Sequence, residues 1–243
     1  MRLINWECLE EMNKMESKSI DMILCDLPYW TTKNKWDSII DLELLWKQYN
    51  RIIKDNGAIV LFAQPPFDKV LWVSNLKMLR YEWIWEKTTA TWHLNAKKMP
   101  MKASENILVF YKKLPTYNPQ KTTGHKRKVS KAESKINSKE SDNYNKWQTM
   151  TSYDSTERYP RNIIKFATDK QKYALHPTQK PVGLCEYLIK TYSNEWDLIL
   201  DNCMWSWSTG VWCKNTNRDF IWIEMDETYF KIAEERINNA IFS

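Results

Sequence analysis

The chain has 243 residues, 43% of them hydrophobic, and a formal net charge of +6 from 36 Lys and Arg against 30 Asp and Glu. This length allows one large domain, or one domain with an insertion, and a sizeable core. The basic balance permits a nucleic-acid partner without requiring one. Because no run of 18 apolar residues occurs and acids interrupt the first segment, MRLINWECLEEM, we expect neither a membrane span nor a secretion signal, and predict a cytoplasmic protein.

The cysteines exclude two further classes of protein. They are odd in number, widely spaced and free of any C-x-x-C pair, which argues against a disulfide framework and against a zinc site. We therefore predict no bound metal and five reduced thiols, mostly in the core: Cys8, Cys25, Cys185, Cys203 and Cys213.

Apolar runs and helical periods alternate along both ends of the chain. SIDMILC (19–25) predicts a buried strand that stops at Asp-Leu-Pro-Tyr, and residues 41–54 predict a helix closed by Asn56-Gly57. The later predictions are a strand at 58–63, a proline-started helix to about 79, strands at 81–87 and 105–112, a helix at 182–193, strands at 196–201 and 219–225, and a last amphipathic helix. This alternation predicts an α/β fold with a doubly wound, mostly parallel sheet.

The alternation breaks between 87 and 175. Residues 121–146 are rich in Lys, Ser, Asn and Glu, which is typical of a solvated, mobile segment. We predict one half of the main domain at 1–86, a basic insert at 87–175 that is partly disordered around 121–146, and the second half at 176–243.

A first polar cluster, Asp26-Leu27-Pro28-Tyr29, directly follows a predicted buried strand. Ligands of open α/β sheets bind at the carboxyl ends of strands. A planar base could stack on Tyr29 while Asp26 and the Leu27 carbonyl accept the hydrogens of its amino group. The alternative is a strand-terminating turn with a capping aspartate.

Two more clusters follow later strands. Residues 201–210, DNCMWSWSTG, form a predicted strand-loop-helix junction, and with glycine at 205 and 207 this would be a Gly-x-Gly cofactor loop. As printed it is not one. Glu224 ends the next strand about 20 residues on, where an acidic residue can bind ribose hydroxyls or simply be solvated.

In this order, and with HPTQKP at 176–181 between them, these clusters resemble the β-class amino-methylating DNA methyltransferases. The resemblance covers about 1–112 and 158–241, with Leu27 as a departure in the second position of the Asp-Pro-Pro-Tyr motif. It implies a Rossmann-like S-adenosylmethionine-dependent methyltransferase fold with a target-recognition insert. The catalytic residues it implies are Asp26, Leu27, Pro28 and Tyr29. The cofactor contacts it implies are Glu7, Lys180, Asp201, Asn202, Trp205, Ser206, Trp207, Ser208, Thr209 and Glu224.

The same resemblance implies the reaction and the partners. An aspartate at the first motif position favours N6 of adenine in double-stranded DNA, with N4 of cytosine as the alternative. Lys126, Arg127 and Lys128 would contact the phosphate backbone, although such a run is also typical of a solvated loop. A homodimer and a cognate restriction endonuclease are possible partners of a restriction-modification enzyme of this class.

Glycine and tryptophan occur in abnormal numbers. A glycine frequency of about 7% predicts roughly 17 glycines, whereas the chain has 4 glycines and 14 tryptophans. Six tryptophans occupy positions where the resembled family has glycine: Trp6, Trp30, Trp196, Trp205, Trp207 and Trp222. Trp72, Trp92 and Trp212 are further candidates.

One-way replacement at scattered positions suggests a gene whose UGA codons mean glycine in the source and were translated as tryptophan. Two alternatives stay open. The chain could be a catalytically dead DNA-binding protein that has lost its cofactor site, or its tryptophans could bind another aromatic ligand.

Overall fold

The computed structural model describes residues 1–29, 40–131, 152–167, 180–204, 212 and 215–241, with side chains to 235. Two compact units divide the chain: Met1–Asn118 with Asn162–Ser243, and Pro119–Arg161. The second unit is narrower than the predicted insert of 87–175, because the strands on either side of it belong to the main sheet. Part of the segment predicted to be disordered, 132–146, lies outside the described residues.

Strands and helices alternate over residues 2–91 of the first unit, as the pattern predicts. Its strands are β1 (Arg2–Asn5), β2 (Ile20–Asp26), β3 (Ile53–Ala63), β4 (Leu79–Thr91), β5 (Lys102–Phe110), β8 (Ile163–Phe166), β9 (Leu198–Asp201) and β10 (Asp219–Glu224). Its helices are α1 (Cys8–Lys14), α2 (Leu42–Ile52), α3 (Phe67–Ser74), α4 (Val182–Tyr192) and α5 (Glu227–Ile241). The second unit has the short strands β6 (Lys128–Ser130) and β7 (Tyr153–Ser155). Within the described ranges, no helix is both long and apolar enough to cross a membrane.

The central sheet has the strand order β1-β10-β9-β2-β3-β5-β4-β8. Every neighbouring pair is parallel except the two pairs made by β5, which runs antiparallel to β3 and to β4. The prediction of an α/β fold with a doubly wound, mostly parallel sheet is therefore confirmed.

Helices cover both faces of this sheet. Alternate residues of β2 contribute to opposite cores: Met22 and Leu24 pack with α4, whereas Ile23 and Cys25 pack with α1, α2 and α3. A strand buried on both faces reads as a continuous apolar run, which is why SIDMILC was recognisable in the sequence. Three cysteines are buried free thiols in the described chain, Cys203 is half-buried, and Cys213 lies outside it.

The prediction that Asn56-Gly57 closes α2 is wrong. The helix ends at Ile52, and Gly57 lies inside β3. A Cβ built on Gly57 would come within 2.7 Å of the Asp21 carbonyl oxygen, so glycine permits the close approach of β2 and β3 at an irregularity in their register.

Two tryptophans have the left-handed backbone conformation that favours glycine. Trp92 has φ +69° and ψ +31°, and Trp196 has φ +70°. The Trp196 side chain contributes little packing, since the residue is 76% exposed. For a bulky L-residue this conformation is unfavourable, which supports glycine as the native residue at both positions.

We expect Trp196→Gly to raise the free energy of unfolding by about 1 kcal/mol, because the left-handed conformation costs an L-residue about 1–2 kcal/mol. Urea denaturation of the two proteins measures the difference. Trp6→Gly is the matched control, since Trp6 is also exposed but its φ is not positive. A Trp196→Gly protein no more stable than the printed chain would contradict this explanation.

Candidate active site

Three carboxylates lie at the carboxyl ends of adjacent parallel strands. Asp201 ends β9, the strand between β2 and β10. Asp201 pairs with Trp222 of β10, and its neighbour Leu200 pairs with Ile23 of β2. On each flanking strand the carboxylate residue, Glu224 or Asp26, therefore lies two residues beyond the level of Asp201. Two residues correspond to about 7 Å at the usual rise of a strand. The three strand ends form a notch with Asp201 at its base.

The notch coincides with the change in winding direction of the sheet. From β2 the chain continues to β3 on one side, and from β9 it continues to β10 on the other. Crevices at such switch points are the usual ligand sites of open α/β sheets. The sequence prediction placed these clusters at strand ends, and the topology makes their strands neighbours.

The turn after β2 positions the predicted catalytic residues. Leu27 is 2% exposed and Pro28 is buried, which fixes the backbone between Asp26 and Tyr29. The Tyr29 hydroxyl donates a hydrogen bond to Asp26 Oδ1, and the Tyr29 ring lies 5.4 Å from that of Phe67. An acidic oxygen beside an aromatic face is the arrangement that the sequence predicted for a bound base.

A buried charged cluster adjoins this turn. The Lys180 ammonium lies 3.0 Å from Asp26 Oδ2 and 2.9 Å from Glu105 Oε2. Lys87 forms a further short ion pair with Glu105 Oε1. Sequence reasoning missed Lys87 and Glu105. The available signal was a charged residue at one end of each predicted strand: Lys87 ends YEWIWEK and Glu105 begins ENILVFYK.

The cluster shifts the pKa of each of three members. Burial raises the pKa of Asp26, and the Lys180 ammonium partly offsets that rise. Burial would also raise the pKa of Glu105, but the ammonium groups of Lys180 and Lys87 lower it to about 2. For Lys180, burial acts to lower the pKa, and Asp26 and Glu105 outweigh it and raise the pKa. Glu105 and Lys180 are therefore charged at neutral pH.

The predicted cofactor residues near β9 are held by local hydrogen bonds. Asp201 Oδ1 accepts from the Cys203 amide at 3.2 Å, and the residue is 5% exposed. Asn202 Oδ1 accepts from the Tyr49 hydroxyl at 2.5 Å. Trp205, Ser206, Trp207, Ser208 and Thr209, also predicted as cofactor contacts, lie outside the described residues.

The two remaining cofactor candidates lie at the end of β10 and after β1. Glu224 Oε1 accepts from the Asp226 amide at 2.9 Å, and β1 ends beside it with Asn5 paired to Glu224. Glu7 is the N-cap of α1 and accepts from the Glu10 amide at 2.8 Å. The helix cap gives Glu7 a structural role that does not require a cofactor.

The predicted DNA-contacting residues lie in the second unit. Arg127 forms a two-point ion pair with Asp154, at 2.7 and 2.6 Å, across the β6–β7 pair. This ion pair neutralises Arg127, one of the three basic residues predicted to contact phosphate. Lys126 and Lys128 are exposed. Among the described residues, no group of His, Cys, Asp and Glu could hold a metal ion.

Comparisons with known proteins identify relatives along almost the whole chain. A family model described as DNA methylase, covering N6 and N4 methyltransferases, matches residues 20–235. Type II methyltransferase M.HpaI of Haemophilus parainfluenzae is 25% identical over 98% of this chain and 74% of its own length. DNA adenine methyltransferase YhdJ of Escherichia coli K12 is 26% identical over 98% of this chain and 83% of its own length.

Solved structures share the fold. The structure of M1.HpyAVI with S-adenosylmethionine has a TM-score of 0.68 at 23% identity and covers 98% of both chains. The cytosine-N4-specific PvuII DNA methyltransferase has a TM-score of 0.67 at 15% identity, over 98% of this chain and 90% of that one. At these identities the likeness establishes the architecture.

Proposed function

Because the chain belongs to the DNA methylase family, whose model matches it over residues 20–235, we propose that it methylates the N6 amino group of adenine in double-stranded DNA. The family assignment itself makes it a DNA methyltransferase of the N6/N4 amino class that uses S-adenosylmethionine. The choice of adenine, the site residues and the DNA contacts are the proposal.

The observation that carries the proposal is the position of Asp26 and Tyr29 at the switch point of the sheet. Tyr29 would stack on a base flipped out of the duplex. Asp26 and the Leu27 carbonyl would accept the two hydrogens of its amino group and orient the nitrogen lone pair toward the methyl donor. Positioning of this kind supplies much of the rate in a transfer between two bound reactants.

The donor set at the notch fits S-adenosylmethionine. When bound, this cofactor supplies an electrophilic methyl group on a positively charged sulfur. Asp201 and Glu224 present carboxylates on adjacent strand ends, suited to its ammonium group and ribose hydroxyls. Together with Asp26 they give the notch an acidic character that favours a cationic cofactor.

Adenine is preferred over cytosine because Asp26 stands at the first position of the catalytic motif, where the cytosine enzymes of the resembled class more often have serine. The relative YhdJ bears the name of an adenine methyltransferase. The fold match to the cytosine-N4-specific PvuII enzyme keeps the N4 reaction as the second candidate.

Digestion of DNA methylated with tritiated cofactor to nucleosides tests the choice of base. We expect the label in N6-methyladenine. Label in N4-methylcytosine would replace the proposal with its alternative, and salt-sensitive DNA binding without any transfer would indicate a catalytically dead protein.

We also propose that the native protein has glycine at Trp6, Trp30, Trp92, Trp196, Trp205, Trp207 and Trp222. The left-handed backbones of Trp92 and Trp196 support this. So does Trp222, whose fully buried indole stacks on Phe220 while its Nε1 has no hydrogen-bond partner in the described chain. A buried polar group without a partner is unfavourable. Below, the glycine form denotes the chain with glycine at these seven positions.

DNA contact by the second unit is proposed for Lys126 and Lys128, with Arg127 contributing less because Asp154 pairs with it. Replacing both lysines with glutamine should weaken affinity for all sequences and reduce the slope of log K against log salt by up to about 2, since each phosphate contact contributes about 0.9. Fluorescence anisotropy at several salt concentrations measures the slope. Lys231→Gln on α5 is the control, and an equal change in that variant would contradict the assignment.

Two partners complete the proposal. The type II names of relatives such as M.HpaI support a restriction endonuclease of the same specificity, and a homodimer is proposed from the resemblance to the β class. Sedimentation of the purified chain with and without DNA tests the dimer.

A further inference from the structure

Four charged side chains next to the proposed base site are linked by a chain of ion pairs. Lys87, Glu105 and Lys180 have side chains 9%, 8% and 8% exposed, and that of Asp26 is 22% exposed. Two ammonium groups alternate with two carboxylates in the order Lys87, Glu105, Lys180, Asp26. Buried charges are tolerated when each is paired. Removing one charged side chain of this chain of ion pairs leaves its neighbour with one partner fewer.

The strand register explains how one ammonium group, that of Lys180, can pair with both Glu105 and Asp26. β2 and β5 lie on either side of β3, where Phe62 pairs with Asp26 on one side and with Ile107 on the other. The Lys180 ammonium lies above the Phe62 ring, 5.2 Å from its centroid. It therefore bridges the carboxylates of two strands that do not touch each other in the sheet.

We propose that Glu105, held by Lys87, is a positioning residue for methyl transfer, because it anchors the Lys180 ammonium against Asp26 and so fixes the carboxylate that receives the target amino group. This inference rests on the proposed function. The resemblance implies that Lys180 contacts the cofactor. In this proposal Lys180 instead holds the catalytic carboxylate, because its ammonium group is already paired with Asp26 and Glu105. In this proposal Glu105 acts through Lys180, to which its Oε2 is paired.

The charges that face Asp26 predict opposite effects for two substitutions. Lys180 lowers its pKa, as does the hydrogen bond from Tyr29, whereas Glu105 raises it. The ionised form of Asp26 is the stronger acceptor for the amino hydrogen that it receives. Lys180→Met should therefore move the acid limb of the kcat profile to higher pH, and Glu105→Gln should move it to lower pH.

A kinetic comparison tests the positioning role in the glycine form. Glu105→Gln should lower kcat about 10-fold to 100-fold while the KM for S-adenosylmethionine changes less than about 3-fold, since a displacement near 1 Å can cost about 100-fold. Lys87→Met should have a smaller effect in the same direction, and Lys87→Arg, which retains the charge, should restore most of the rate. Glu86→Gln is the matched control, because Glu86 lies on β4 in an exposed pair with Lys165.

The outcomes separate this proposal from the function on which it rests. No methyl transfer by the glycine form would overturn the proposed function. Active enzyme whose Glu105→Gln variant keeps kcat within 2-fold, or whose two acid limbs move in the same direction, would overturn the positioning role alone. If Glu105→Gln fails to fold, the Lys87→Met and Lys87→Arg pair decides the question. Because the proposal requires Lys87 to hold Glu105 in place, equal rates for the two variants would overturn it.

Discussion

Asp26→Ala is expected to reduce methyl transfer about 100-fold to 1000-fold in the glycine form, the loss typical when one preorganised electrostatic contact to the reacting group is removed. The base would still stack on Tyr29, and the cofactor contacts of Asp201 and Glu224 would be intact. The amino group would lose one of the two acceptors that orient it. Single-turnover transfer of a labelled methyl group to DNA measures the effect on the chemical step.

Binding must be measured beside the rate. DNA and S-adenosylmethionine affinities of Asp26→Ala should stay within about 3-fold of the parent. Asp21→Asn is the matched control, since Asp21 is on the same strand but at its other end, where it pairs with Lys54 at 2.6 Å. An Asp26→Ala protein that keeps more than half of the single-turnover rate would show that the switch-point turn is not the catalytic centre.

The second large effect concerns the loop after β9. We expect the glycine form to bind S-adenosylmethionine at least about 100-fold more tightly than the printed chain, which corresponds to about 2.7 kcal/mol. Glycine lets a loop backbone approach a ligand closely and adopt positive φ. Tryptophan at 205 and 207 would obstruct the close approach and make positive φ unfavourable. Isothermal titration of the two proteins measures the difference.

Peptide mass spectrometry of the protein from its native host provides an independent check. Glycine at 205 and 207 would establish recoding directly. Tryptophan at both positions, or equal cofactor affinity in the two forms, would contradict the proposal and favour a DNA-binding protein without transfer activity.

The sequence predicts the core of the fold because the central strands are buried on both faces. The predicted strands at 19–25 and 58–63 lie within or near β2 and β3, and the helix predicted at 182–193 matches α4 within one residue. β1 and α1 are short, at 4 and 7 residues, and too little periodicity develops over such lengths for the pattern to identify them.

The reversed strand was harder to predict. ENILVFYK is apolar enough to be recognised as a strand, but an apolar run does not indicate the direction of a strand or its neighbours in the sheet. The sequence therefore put β5 in the insert, whereas the structure pairs it with β3 and β4 in the main sheet.

Some residues of the site could likewise be predicted from local sequence, and others could not. Asp26, Asp201 and Glu224 could be predicted, because each follows an apolar strand and parallel strands end at one edge. The charged cluster could not, since it depends on contacts between distant parts of the chain: Glu105 and Lys180 are 75 positions apart. Its existence depends on the register of β2, β3 and β5, which no local pattern encodes.

Methyl transfer by protein isolated from its native host tests the central claim most directly. The host protein is incubated with S-adenosylmethionine labelled in the methyl group and with double-stranded DNA, RNA or a protein substrate in separate reactions. We predict label in double-stranded DNA, on an exocyclic amino group, and none in the other two. Label that enters RNA or protein but not DNA would contradict the account.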